Sequence, residues 1–287
     1  MRLNPARRRR HIESGVAPRI VTADERIALV REKSKRAKKH IEELKVELRA
    51  FLDSKPYTVG TKRDLQTRKL IYYVASVQNT PPAIPMIIGD ILQCLRSTLD
   101  HLAYQLLLVS GPGFDEHKVR FPVGRDFNSY KSERGRVVPS LRKDAQDAID
   151  AVEPYAGGKG ALLWTLHDLN NVDKHRTILT AGSYFRSVDL GRHMLQRMRK
   201  LLAAIPDDRD LPFFVTPADK GFPLKAGYEL LILGPEDEPD EKQQFRFEVA
   251  FAESEIVEGK PIGETLQEMT NLVDGIVTTF HGSGLMA

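Results

Sequence analysis

The chain has a single cysteine, Cys94, among 287 residues. A lone thiol forms no internal disulfide and no cysteine-based zinc site. On an apolar segment it fits a reducing compartment. It reads as a structural thiol rather than a nucleophile, because buried thiols are usually inert. Long apolar runs are also missing, and none reaches the roughly 18 residues that a membrane span needs. The longest candidate, residues 84–110, is broken by Asp90, Gln93, Arg96, Asp100, His101 and Gln105. Four arginines at 7–10 make the start basic, but no apolar stretch follows them. Neither a secretory nor a twin-arginine signal is supported. The expectation is a cytoplasmic protein without a membrane partner.

The glycine-rich loops that cradle nucleotide phosphates are absent too. Gly157-Gly158-Lys159-Gly160 lacks the required frame and reads as a flexible turn. His-Glu-x-x-His and Gly-x-Ser-x-Gly do not occur, which removes the common zinc-peptidase and serine-hydrolase signatures. No cofactor and no metal is expected.

What is present is a globular composition, 41 % hydrophobic and 29 % charged, enough to build a core and too apolar for a disordered chain. The net charge of +4 is unevenly spread. Residues 1–49 carry 15 Lys and Arg against 7 Asp and Glu, a net +8, and the rest of the chain is −4. A basic N-terminal fifth attracts polyanions; the plainer reading is a disordered tail plus a solvated helix face.

Thr22-Ala23-Asp24-Glu25 forms a capping box. Beyond it Ile27, Val30, Ser34, Ala37, Ile41, Leu44, Leu48 and Phe51 alternate three and four apart. That is a heptad seam on a helix of about 30 residues, which asks for a helical partner in the same chain or in another copy. Lys33, Lys35, Arg36, Lys38 and Lys39 lie on its outer sides. Residues 68–78 read as a strand. A second long helix is expected over 84–109, with Ile88, Ile91, Leu95, Leu99, Leu102 and Leu106 as its stripe. Shorter helices are expected near 126–133, over 140–152 capped by Ser140, and over 161–174. Strands are expected in 177–190, 228–233 and 245–252, with Phe245, Phe247, Val249 and Phe251 on one face. A final helix follows Pro261. The fold class is α+β and mainly helical: a bundle of four or five long helices with a small antiparallel sheet. It divides into a disordered basic tail at 1–21, a helical core with a strand insertion at 22–205, and antiparallel strands plus a C-terminal helix at 206–287 packed on that core.

Two polar clusters interrupt apolar helices, Arg96-Ser97-Thr98-Leu99-Asp100-His101 and the run from His167 to Arg176. Burial of such groups is costly unless they pair. Arg96 and Asp100 are four apart and share a helix face. His101 lies about 140° round the helix from Arg96, so one helix alone does not bring the two side chains to one phosphate. Two copies packed across a dyad would. His167, Asn171 and His175 recur every four residues. Asp173 continues the apolar row and points inward toward a cation, Arg96 or Lys174. Four readings stay open: a structural network joining two helices, a ribonuclease site, an anion site, and a metal site using His167, Asp168, Asp173 and His175.

Arg96-x-x-x-x-His101 on a long helix resembles the signature of the HEPN superfamily, Arg followed by four to six residues and then His. Arg186 and His193 share that spacing class, but only the first pair sits on a strong helix. Ser97 stands where the family more often has Asn or Asp. The Leu-Arg-Ser-x-Leu-Asp-His segment together with Asp173-Lys174-His175-Arg176 also resembles a set of uncharacterised bacterial proteins. The HEPN resemblance implies a metal-independent endoribonuclease of toxin or defence systems, working as a homodimer. Arg96 would stabilise phosphate charge and His101 would act as general acid or base, with the RNA 2′-hydroxyl as nucleophile. Asp100, Asn171, Asp173, Lys174, His175 and Arg176 would support them, and Lys35, Arg36, Lys38 and Lys39 would hold RNA phosphates. The alternative is a non-catalytic interaction protein whose clusters are salt-bridged struts.

Overall fold

The computed structural model of the chain describes residues 22–111, 119–175, 181–201, 212–219, 221–252, 257 and 259–287. The expected tail at 1–21 lies outside them. The first helix, α1, spans Ala23–Asp53. Its capping box is formed: the Glu25 amide donates to Thr22 Oγ1 at 3.2 Å, and the Thr22 amide donates to Glu25 Oε2 at 3.0 Å. Asp24 and Glu25 also place negative charge on the positive end of the helix dipole. Thr22→Ala removes one half of the box, and urea unfolding should show a loss of about 1 kcal/mol. Of the seam residues, Ile27, Val30, Ser34, Ala37, Ile41, Leu44 and Phe51 are buried, and Leu48 is half-buried against the same core. Their partners come from the same chain: α1 packs on α2 (Ala83–Ser110) and α7 (Ile262–Gly282). Ser34 Oγ donates to Asp274 of α7. At the far end Lys55 takes a positive φ of 54°, and Pro56 then forbids further helix.

Helix α2 sits centrally, touching α1, α7 and α5 (Ala161–His175). Leu95, Leu99, Leu102 and Leu106 are fully buried, each contributing about 2 kcal/mol of transfer free energy. No described helix is long and apolar enough to cross a membrane.

The architecture is α+β, with two small sheets where one was expected. Strands β1 (Tyr57–Arg63), β2 (Leu70–Val77) and β5 (Glu229–Leu233) form an antiparallel sheet in the order β1-β2-β5. Strands β4 (Phe214–Val215), β3 (Ala181–Asp189) and β6 (Phe245–Phe251) form a second, in the order β4-β3-β6. Each sheet thus takes strands from both sides of residue 206. The sheets share a small apolar core in which Tyr57 stacks on Phe247 at 4.3 Å. Strand β6 joins the two cores: Phe245 and Phe247 pack in the sheet core, Val249 and Phe251 against the helices.

Three elements depart from the expectation. The short β1 holds its place by tertiary pairing with β2 rather than by an apolar pattern of its own. Helix α6 (Gly191–Leu201) follows β3 because Asp189 Oδ1 accepts the Gly191 amide at 2.8 Å and starts the turn. The helix expected from Ser140 begins at Lys143 instead, as α4 (Lys143–Val152), after a 3-10 turn at Val138–Ser140. Helix α3 (Phe127–Val137) starts at Asp126, whose side chain accepts the Ser129 amide at 2.8 Å.

Candidate functional site

Asp173 of α5 lies against Gly89 of α2, where an added Cβ would meet its carboxylate at 2.5 Å. Further along, Arg96 and His167 line one cleft. The two helices therefore run in opposite directions, and their polar clusters face each other. The segment 119–125 and the start of α3 close the cleft from the other side. It measures about 400 Å³, and its walls include Arg96, Arg120, Arg125, Glu133, Trp164, His167 and Asn171.

Arg96 is 5 % exposed. Its Nη2 donates to Asp100 Oδ1 at 2.8 Å and to the Phe121 carbonyl at 2.7 Å, and Asp100 Oδ1 also accepts the Phe121 amide at 2.9 Å. This closed triangle ties α2 to the cleft wall. Nη1 of the same guanidinium is buried and has no partner. Burial pushes the Arg96 pKa below its ordinary value, with Asp100 opposing the change; the group stays charged at neutral pH.

His167 has a matching feature. Asn171 Nδ2 donates to His167 Nε2 at 3.0 Å, so the single proton of the neutral ring sits on Nδ1. Nδ1 is buried and unpaired. Burial, and then the charges of Arg96 and Arg120, lower the His167 pKa to about 4. The ring is therefore neutral at pH 7 and offers one N–H. Trp164 stands beside it with the ring centroids 5.8 Å apart. Arg120 Nε donates to Glu133 Oε2 at 3.0 Å and keeps half of its side chain in solvent. The site thus presents two buried donors without acceptors in a wall dominated by arginine, an arrangement that receives an oxyanion.

The residues singled out from the sequence are not all gathered here. Arg96 and Asn171 line the cleft, and Asp100 anchors Arg96. His101 is exposed and does not line it. Arg96 turns to Asp100 and Phe121 and not to Asp173, contrary to one of the two expected cations for that carboxylate. Lys174 is exposed and acts on His167 only through its charge. His175 ends α5, but its side chain, like all of Arg176, lies outside the described residues. Lys35, Arg36, Lys38 and Lys39 are exposed on α1, where Lys35 pairs with Glu32 at 2.7 Å, Lys38 pairs with Asp274, and Arg36 Nε donates to His40 Nε2 at 2.9 Å. Arg186 lies on β3 and His193 on α6. Arg120, Arg125, Glu133 and Trp164 were not singled out. Each stands alone in sequence, and no local spacing marks them.

Among the described residues no group of three His, Cys, Asp or Glu side chains is placed to hold a metal ion. A larger cleft of about 760 Å³ lies between strand edges β1 and β6, but none of the buried unpaired side-chain atoms belongs to its lining. Searches against protein-family models, curated proteins and solved structures find no match to the chain.

Proposed function

We propose that this protein binds a small oxyanion-bearing molecule, a phosphate or a carboxylate, in the cleft between α2, α5 and α3. The observation that carries the reading is that two residues lining this one cleft each bury a donor without a partner, Nη1 of Arg96 and Nδ1 of His167. An unsatisfied buried donor costs about 1–3 kcal/mol, more when it is charged. A ligand oxygen that accepts from both offsets that cost. The HEPN-type ribonuclease reading needs Arg96 and His101 in one groove. Within one protomer Arg96 is turned inward and His101 is exposed elsewhere. A second copy would have to complete the site, and the α1 seam is already covered by α2 and α7 of the same chain.

The test is thermal unfolding with inorganic phosphate and with acetate. At a hundred times its Kd a bound anion stabilises by about 2.7 kcal/mol, which moves the midpoint by several degrees. Arg120→Gln, at a half-exposed position, should weaken binding about tenfold while leaving the fold intact. Arg96→Met should abolish it. An unchanged midpoint at tens of millimolar of both anions overturns the reading. RNA cleavage in EDTA by wild type but not by His101→Ala would put the ribonuclease in its place.

A further inference from the structure

We infer that the cleft between β1 and β6 receives an extended peptide segment of a partner protein, about five residues long, which joins the two sheets as an added strand. The inference is independent of the anion site, whose walls share no residue with this cleft.

The two strands are outer members of their sheets, and their free edges face each other across the cleft. Backbone groups alternate along a strand between its two sides. Just beyond β1, Asp64 turns its amide to the Lys69 carbonyl on the β2 side. Thr61 and Val59 lie an odd number of residues from it, in unbroken register, so each turns its N–H and C=O into the cleft. Just before β6, the Gln244 carbonyl accepts the Asp189 amide on the β3 side. Phe245 and Phe247 therefore turn their N–H and C=O the other way, into the same cleft. Two facing rows of backbone donors and acceptors are matched by an extended chain.

The β6 edge already takes a strand. The Phe251 amide donates to the Lys260 carbonyl at 3.1 Å, the Phe251 carbonyl accepts the Gly259 amide at 3.0 Å, and Ala250 bridges Pro261 in the antiparallel sense. The returning chain would continue along β6, but Pro261 opens α7 and leads it away. Residues 245–249 are left without that neighbour. A segment that takes its place runs antiparallel to β6 over five residues, about 17 Å.

The two edges are too far apart to pair with each other. Along nearly all of their length the Cα atoms of β1 and β6 are more than 8 Å apart, and a strand placed between them needs two spacings, roughly 10 Å in all. Rings join the sheets instead: Tyr57 of β1 stacks on Phe247 at 4.3 Å, and Tyr72 of β2 lies 5.5 Å from Phe245. Tyr72, Phe245 and Phe247 also line the cleft. Every second side chain of the added strand meets this aromatic surface and should be apolar.

Four charged residues line the cleft, Lys55, Asp240, Glu241 and Arg246. Asp240 is paired with Arg192 at 3.5 Å, and Arg246 lies over the Phe214 ring. That leaves exposed Lys55 at the Tyr57 end and exposed Glu241 at the Tyr72 end, where the Asp240 amide donates to the Tyr72 hydroxyl. A segment antiparallel to β6 starts at the Lys55 end. An acidic residue at its start and a basic residue at its end complement the two.

The probe is the blocked peptide acetyl-Glu-Val-Thr-Val-Thr-Val-Lys-amide, titrated into the full-length protein. Saturable binding is expected at or below about 1 mM. In hydrogen exchange followed by NMR, the amides of Thr61, Phe245 and Phe247 should slow at least about tenfold on binding. Two analogues, each N-methylated at one alternate set of amides, lose the donors aimed at one edge or the other. Each should bind at least about tenfold more weakly. The peptide with its end charges exchanged should bind about threefold more weakly at low salt. Thr61→Pro removes an outward N–H that the β1–β2 ladder does not use, a change that a strand edge tolerates. It should weaken binding about tenfold and leave the circular dichroism spectrum unchanged.

No saturation by about 1 mM overturns the inference. So does binding that survives both N-methylated analogues, or that slows no amide of β1 and β6. Loss with one analogue alone overturns the bridging of the two sheets and leaves addition to a single edge. Equal binding with the end charges exchanged overturns the direction. If Thr61→Pro does not fold, the analogues on the wild-type protein decide the same question.

Discussion

Asp100→Ala should destabilise the protein by about 3 kcal/mol, read as a lower urea midpoint at unchanged slope. The carboxylate holds two groups at once, Arg96 Nη2 at 2.8 Å and the Phe121 amide at 2.9 Å. Phe121 is fully buried and Arg96 is 5 % exposed. Without Asp100 the guanidinium keeps only the Phe121 carbonyl, and its charge is left uncompensated. Removing one partner of a buried pair costs about 3–5 kcal/mol. A third of the Asp100 side chain is exposed, so water takes part of its place and the lower end of that range applies. The double variant Arg96→Met/Asp100→Leu removes both charges and should recover most of the loss. A single-variant cost below about 1 kcal/mol, or a double variant worse than the sum of its parts, would show that the triangle is not what ties α2 to the cleft wall.

Gly124→Ala should cost a similar amount, about 3 kcal/mol, and should lower anion affinity with it. A Cβ at position 124 would lie 2.3 Å from the Tyr130 amide nitrogen and 2.6 Å from its Cα. Both are backbone atoms in the first turn of α3, so no side-chain rotation relieves the clash. Gly124 cannot retreat either, since its amide donates to the Pro154 carbonyl at 3.0 Å and it bridges to Tyr155. Tyr130 is held in turn by its hydroxyl, which donates to Asp150 at 2.6 Å. The start of α3 must shift, carrying Ser129 and Glu133 of the cleft wall with it. Gly135→Ala, on the same helix with nothing within 4 Å of the new Cβ, is the control and should stabilise by about 0.5–1 kcal/mol. Unfolding curves for the two variants, with phosphate titrations of each, separate a local steric effect from loss of glycine on α3 in general.

The cleft explains why Arg96 is tolerated within an otherwise leucine-rich helix. Its Nη2 is taken by Asp100 and the Phe121 carbonyl, and its Nη1 is buried without a partner. A purely structural strut would be expected to use both.

Elements governed by short-range periodicity were legible in advance. The α1 seam from Ile27 to Phe51, the α2 stripe and the alternation of β6 follow from 3.6- and 2-residue repeats, which are properties of the local chain. The Arg96–Asp100 pair belongs with them, because residues four apart on a helix meet whatever the tertiary structure does. Helix α6 was missed although Met194, Leu195, Met198 and Leu201 recur three and four apart, as a helix stripe does. Strand β1 was not legible, since its stability comes from pairing with β2. The division into two sheets was hidden for the same reason: β5 and β6 lie far along the chain from the strands they join.

By itself, then, the amino-acid sequence determined the helix and strand periods, the faces they bury and the pairs formed within one helix. Backbone geometry sets these over a few residues. Only the tertiary structure decided that Arg96 meets His167 and Arg120 in a shared cleft while His101, five residues away, faces elsewhere. A helix turns 100° per residue, so neighbours in sequence diverge. Which distant side chains converge depends on how α2, α5 and α3 pack, and burial of their apolar faces settles that packing.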